Sequence, residues 1–191
     1  MLGAAVCDFC DGLAARALKA YSELGKQLDS LADMVSFGAL PALLMHRLMI
    51  ATGGESVWCY VPLLIAVFSA LRLAKFNIDT RQTSTFIGLP TPANALFWSS
   101  LIAGGGDWLN SLNAGWLLLI MLIALFSYFL VCEIPMFSLK FKNFSWKSNR
   151  IRYIFLLCCL PMLLLGFLAP VAIIAWYLVL SVALHLKGTA V

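Results

Sequence analysis

The sequence predicts an all-α fold: a polytopic transmembrane helix bundle of about seven helices, forming a single membrane domain over residues 1–191. Three observations carry this expectation. Hydrophobic residues fill 62% of the 191 positions and charged residues only 12%, about half the roughly 25% charge of a soluble domain. A soluble fold this small has too much surface to hide that apolar share, and a mean hydropathy of +0.94 agrees. Finally, charge-free runs cover 34–46, 56–71, 82–106, 108–132 and 153–186, where a spanning helix needs about 17–25 mostly apolar residues.

These runs predict helices near 1–22, 31–52, 57–76, 93–105, 114–133, 153–168 and 171–186. The fourth is short. The run 153–186 is too long for one span, and Gly166 with Pro170 supplies a break, since proline lacks an amide donor and clashes with the preceding turn. Two short spans in a hairpin result. The segments 77–92 and 134–152 read as the only sizeable loops. Residues 1–100 form the expected catalytic core and 101–191 the C-terminal transmembrane helices.

Charge asymmetry fixes an orientation. Arg16, Lys19 and Lys26 fall in the first connection, Arg72, Lys75 and Arg81 in the third, and Lys140, Lys142, Lys147, Arg150 and Arg152 in the fifth, with Lys187 after the last helix. The alternate connections 53–56, 104–113 and 169–170 hold no Lys or Arg, so Arg47 alone breaks the pattern. The basic connections are expected to face the cytoplasm. The stretch from Lys140 to Arg152 reads as a topology and anionic-lipid signal. With a net charge of +4 and no basic stripe interleaved with aromatics, no nucleic-acid partner is expected. The front end carries no basic n-region before Asp8, so it is not a signal peptide. A motif helix reaching the cytoplasmic side near residue 20 would begin inside the bilayer at Met1, and a further helix is expected upstream.

Six cysteines lie in or beside apolar runs, where Cys usually acts as a small buried hydrophobe. Cys7-x-x-Cys10 has half of a zinc spacing, but neither His46 nor His185 supplies a partner at ligand distance in sequence.

The acidic residues carry the chemistry. Asp8, Asp11, Asp29 and Asp33 crowd the first 33 positions, and carboxylates within apolar segments are costly, so they are functional suspects by default. Asp8, Asp11, Gly12, Ala15 and Arg16 follow one helical stripe, and Gly25, Asp29 and Asp33 another. On consecutive antiparallel helices the two stripes can face each other. Four converging carboxylates repel unless a cation binds them, and an all-oxygen donor set suits a hard divalent ion, Mg2+ or Mn2+. Metal ions on shared carboxylates recur in phosphoryl transfer. Arg16 would add fixed charge for a diphosphate, and Gly12 and Gly25 would let a ligand approach the backbone. The plainer view makes these interfacial residues with Arg16 and Lys19 snorkelling beside them. Four Asp at helical spacing with two Gly and an Arg outweigh it.

The pattern Asp8-x2-Asp11-Gly12-x2-Ala15-Arg16-x8-Gly25-x3-Asp29-x3-Asp33 resembles the CDP-alcohol phosphatidyltransferase signature at every position. The stretches LDSLADMVSFGALPA (28–42), LRLAKFN (71–77) and FIGLPTPANA (86–95) resemble the serine-accepting membrane branch of that family. The resemblance implies that Asp8, Asp11 and Asp29 bind one metal and Asp8, Asp29 and Asp33 a second. It also implies that Asp33 is the general base and that Gly12, Ala15, Arg16 and Gly25 line the CDP pocket. The implied reaction transfers the phosphatidyl group of CDP-diacylglycerol to L-serine, with release of CMP, in a bacterial cytoplasmic (inner) membrane with the site facing the cytoplasm. The family tendency implies a homodimer within the lipid bilayer. The acceptor site is placed at Arg72, Lys75 and Asn77, with Arg72 able to meet a carboxylate, although Arg72 and Lys75 equally fit ordinary charged anchors. Ser36, Thr91 and Asn94 either touch the acceptor or cap helices. Two alternatives are another acceptor such as glycerol 3-phosphate, which would favour a denser basic pocket, and a divalent-cation carrier, which Arg16 inside the cluster disfavours.

Overall fold

The computed structural model describes residues 2–19, 22–53, 57–79, 86–137 and 146–187. The expected anchors Arg81, Lys140 and Lys142, and the side chains of Arg16 and Lys147, lie outside the described residues. Helix α1 covers Leu2–Leu18 and ends at Lys19, whose φ of 53° leaves helical space. Ser22 then starts α2 (Glu23–Asp33): its backbone is extended and its Oγ accepts a hydrogen bond from the Gly25 amide at 3.0 Å. Such a cap satisfies one of the amides that a helix start leaves free. The helix therefore begins at Glu23, not near residue 31 as expected, because a serine cap outweighs the polar composition of 23–30.

α2 passes without interruption into a π-helical segment, Met34–Ala39, and then α3 (Leu40–Ala51). The widened turn has a local cause. Pro41 lacks an amide and its ring presses on the carbonyl four residues back, which an α-helix cannot accommodate unchanged. The ladder shifts by one residue instead, and the Leu40 amide bonds to the Val35 carbonyl. A single-turn widening of this kind is frequent at functional sites, and here it follows Asp33 directly.

A short 3-10 turn (Val57–Tyr60) leads into α4 (Leu63–Ile78). Then come α5 (Thr91–Ser111), α6 (Gly115–Val131), α7 (Trp146–Met162), a 3-10 segment (Leu163–Leu168) and α8 (Ala169–Leu186). α5 is longer than the expected 93–105. The loops on either side of α5–α6 meet in a two-residue antiparallel pairing, β1 (Phe86–Ile87) with β2 (Pro135–Met136), in the register Phe86↔Met136 and Ile87↔Pro135. Gly88, at φ 72°, continues from β1 under the end of α6, where a Cβ would meet the Phe129, Leu130 and Cys132 carbonyls at 3.0–3.1 Å. That approach lets the Leu89 amide bond the Phe129 carbonyl at 2.8 Å, satisfying an acceptor that the helix end leaves open.

The described chain thus has six continuous helical stretches where about seven helices are expected, because the last two expected helices are joined through Leu163–Leu168. The fold-back itself is present. Gly166 sits at φ 58°, ψ −122°, a backbone region open to glycine. Phe155 and Tyr177, equidistant from Gly166 along the chain, bring their ring centres to 6.0 Å.

Stretches Glu23–Ala51, Val57–Ile78 and Asn149–Leu186 are long and apolar enough to span a bilayer, and Gly115–Val131 is a shorter apolar helix. The core lies among α3, α4, α5, α6 and α8, around the fully buried Trp98. Phe97 stacks on Phe126 at 3.9 Å, and Trp98 meets both rings edge-on. Large apolar side chains cover the outside, among them Leu164, Phe167 and Val179, a surface suited to lipid and not to water. Cys59 and Cys132 are buried as expected of small hydrophobes, but Cys7 and Cys10 are exposed on α1, since that helix turns its apolar side outward.

Candidate active site

One end of the bundle collects the polar side chains. Lys26 Nζ donates to the Asn77 carbonyl at 3.1 Å, and Asn77 Nδ2 donates to Ser30 Oγ at 2.9 Å, so two bonds stitch α2 to α4. Lys75 Nζ donates to the Val131 carbonyl at 3.2 Å and pairs with Glu133 at 3.6 Å, joining α4 to the end of α6. Lys26, Arg72 and Lys75, assigned to basic connections from sequence, therefore share this end.

Beside these contacts α1 faces α2 across a cleft of about 720 Å³. Carboxylate oxygens of Asp8, Asp11 and Asp29 lie within 4.8 Å of one another there. Helical spacing puts Asp8 and Asp11 on one face of α1, and the Ser22 cap sets the start, and so the phase, of α2 that presents Asp29. Gly12, Ala15 and Gly25 line the same cleft. A Cβ at Gly12 would meet nothing within 4 Å, so the missing side chain leaves open space beside the carboxylates. At Gly25 a Cβ would come to 3.0 Å from Ser22 Oγ, so glycine there also serves the cap. Phe9, Leu13 and Leu28 form the apolar part of the lining.

Asp33 stands one turn beyond Asp29, half buried and outside the close triple, yet near enough for its charge to interact with Asp8, Asp29 and Asp11. The donor set fits a hard divalent ion: oxygen ligands, net negative charge and partial exposure. Among the described residues no other group of this kind is found.

The three expected acceptor residues divide. Arg72 is 7% exposed, donates from Nη1 to Thr91 Oγ1 at 3.3 Å, and interacts electrostatically with Asp33. Lys75 and Asn77 are engaged in the interhelical contacts above. Ser22 and the π segment are additions that the motif does not show. The first was legible as a serine followed by Glu23, a helix-start signal. The second was hinted at only by Pro41.

A membrane helix bundle with an acidic cleft at one end defines a class, and the family comparison makes it specific. The model of the CDP-alcohol phosphatidyltransferase family matches residues 1–129, and the chain belongs to that family. Its members are metal dependent, and the acidic triple falls within the matched region. The chain is similar to the CDP-diacylglycerol–serine O-phosphatidyltransferase of Bacillus subtilis (strain 168), 42% identical over 85 residues, covering 44% of this chain and 48% of the relative. The proteins of the same name from Mycobacterium leprae and Mycobacterium tuberculosis are 37% and 39% identical over 145 residues, 70% of this chain and 46% and 48% of theirs. The chain spans about half the length of the curated relatives it matches.

Proposed function

We propose that this chain carries the catalytic core of an enzyme that transfers the phosphatidyl group of CDP-diacylglycerol to L-serine, forming phosphatidylserine and CMP. The observation that carries the reading is the Asp8, Asp11 and Asp29 triple in a cleft lined by Gly12, Ala15 and Gly25 and bordered by apolar Phe9, Leu13 and Leu28. Such a cleft suits a ligand that is anionic at one end and lipid at the other. The names of the relatives supply the acceptor.

Asp8, Asp11, Asp29 and Asp33 would hold the divalent metal, Mg2+ or Mn2+. Bound there, it would neutralise charge that builds on the phosphoryl oxygens. Arg16, one turn beyond Gly12 in sequence, adds positive charge for the diphosphate. Gly12 and Gly25 leave the backbone open to the nucleotide. Asp33 accepts the proton of the serine hydroxyl as that oxygen bonds to the β-phosphorus of CDP-diacylglycerol. The bond from this phosphorus to the CMP oxygen breaks, and its electron pair leaves with CMP. Arg72, whose charge interacts with that of Asp33, meets the serine carboxylate. Holding both substrates in line supplies much of the rate. The basic end of the bundle faces the cytoplasm of a bacterial inner membrane, where nucleotide and serine arrive, while the acyl chains stay in the bilayer and enter between α1 and α2. The enzyme works as a homodimer.

The test is CMP release from CDP-diacylglycerol by the purified protein, with L-serine or glycerol 3-phosphate as acceptor and with Mg2+, Mn2+ or EDTA. Serine- and metal-dependent release is expected. Release driven by glycerol 3-phosphate would change the acceptor, and metal binding without any release would replace the enzyme with a cation-binding protein.

A further inference from the structure

Arg72 is poorly satisfied for a buried cation. Among the described residues its one hydrogen bond goes to the neutral Thr91 hydroxyl, the Phe76 ring face lies 5.7 Å from its guanidinium carbon, its Nε has no partner, and no carboxylate pairs with it. Three residues along α5, Asn94 is fully buried. Trp98 Nε1 donates to Asn94 Oδ1 at 2.9 Å. An indole nitrogen only donates, so this bond fixes which way the amide points. Asn94 Nδ2 is left as a second buried donor without a partner. Thr91 and Asn94 share one face of α5 by their spacing, so the face that touches Arg72 also presents the amide.

Leaving buried donors unmet costs free energy, and in native structures each such group calls for a partner. A guanidinium and an amide together offer donors and positive charge, which suit a planar two-oxygen anion. Lys75 and Asn77 are held in contacts between helices, so among the described residues the nitrogen donors left open at this end of α4 and α5 belong to Arg72 and Asn94, with the buried Ser69 hydroxyl one turn back on α4 also without a partner. Arg72 also lies near enough to Asp33 for their charges to interact. In serine two bonds separate the carboxylate carbon from the carbon bearing the hydroxyl, so an acid held by Arg72 carries its hydroxyl toward the base.

We infer that Asn94, together with Arg72 oriented by Thr91, forms a carboxylate-recognition site that selects amino-acid acceptors over alcohols lacking the acid group. Asn94 and Arg72 bind the ligand, and Thr91 is a positioning residue. The inference rests on the serine-acceptor reading above and adds which residues read the acid.

The experiment measures CMP release from CDP-diacylglycerol by the full-length protein in detergent, with L-serine and with serinol, in which a CH2OH group replaces the carboxylate. Asn94→Asp keeps the side-chain size and the oxygen that receives Trp98, and turns the free donor into an anion. Loss of a charge-assisted hydrogen bond predicts a rise in the L-serine KM of about 10- to 100-fold, with the serinol and CDP-diacylglycerol KM values moving less than about threefold. Thr91→Val, which removes the oxygen orienting Arg72, raises the serine KM several-fold and leaves the serinol KM near its wild-type value. If Asn94→Asp elutes as aggregate, the Thr91→Val result decides. An unmoved serine KM, equal shifts for serine and serinol, or a shift confined to CDP-diacylglycerol would overturn the inference; the last would place a donor phosphate on Arg72. Absence of serine-dependent release by the wild type refutes the acceptor reading itself, whereas serine-dependent release with unmoved variants refutes only this site.

Discussion

Neutralising Asp29 should change stability with opposite sign depending on whether metal is present. Its carboxylate lies within 4.8 Å of those of Asp8 and Asp11. At that separation two unit charges repel by about 0.9 kcal/mol in a water-like dielectric and about 3.5 kcal/mol at an effective value of 20. The groups are partly exposed, so solvent and salt keep the effect near the lower figure. Asp29→Asn removes two of the three pairwise repulsions and should stabilise the metal-free protein by about 1–2 kcal/mol. The same change removes a ligand. A site filled to 100 times its Kd adds about 2.7 kcal/mol to the wild type, and the variant should lose most of that gain. Melting of the detergent-solubilised protein, followed by tryptophan fluorescence in EDTA and then in millimolar Mg2+ or Mn2+, checks both signs. At this chain length 1 kcal/mol corresponds to roughly 2–4 °C. The variant is expected to melt a few degrees above the wild type in EDTA and below it in metal. A lower melting temperature in EDTA combined with an intact metal-induced rise would refute the reading of the triple as a repulsive cation site.

Asp33→Asn should lower CMP release by about 10²–10⁴-fold while CDP-diacylglycerol binding, measured by equilibrium dialysis, largely persists; substantial turnover by a folded variant would remove Asp33 from its role as base. Gly88→Ala puts a side chain at φ 72° against three carbonyls, a combination of strain and crowding worth about 1–3 kcal/mol, so its melting temperature should fall by several degrees; an unchanged value would mean that the loop from β1 to α5 shifts freely. For orientation, a cysteine at Ser111 in a variant lacking the six native Cys should react with an impermeant thiol reagent on intact cells, and one at Ser145 should not. The reverse pattern would turn the bundle over.

What could be read directly from the sequence follows the local geometry of the chain. Residues three and four apart share a helix face whatever surrounds the helix, so the two aspartate stripes and their glycines were visible as motifs before any fold was known. The break at Gly166 was visible for a similar reason, because a glycine and a nearby proline in one long apolar run act on their own backbone. Length and hydropathy alone marked the bundle, since a bilayer imposes a minimum span.

Neighbours across helices were decided only in three dimensions. Helices that are apolar nearly all round, such as Gly115–Val131, carry little signal of which face turns inward, so sequence could not tell which polar groups meet. Arg72, Lys75 and Asn77 grouped as one acceptor site in the chain, with Arg72 set apart only by its guanidinium. Packing gave Lys75 to the end of α6 and Asn77 to Ser30, and left Arg72 bonded to Thr91 and within electrostatic reach of Asp33. The burial of Asn94 with its amide fixed by Trp98, and the π turn that follows Asp33, likewise have no unambiguous local signature. The sequence determined the membrane fold and the acidic motif because both arise from backbone periodicity and partition into lipid. The hydrogen bond of Arg72 to Thr91 and its charge interaction with Asp33 depend on how whole helices settle against one another, and only the tertiary structure decides that.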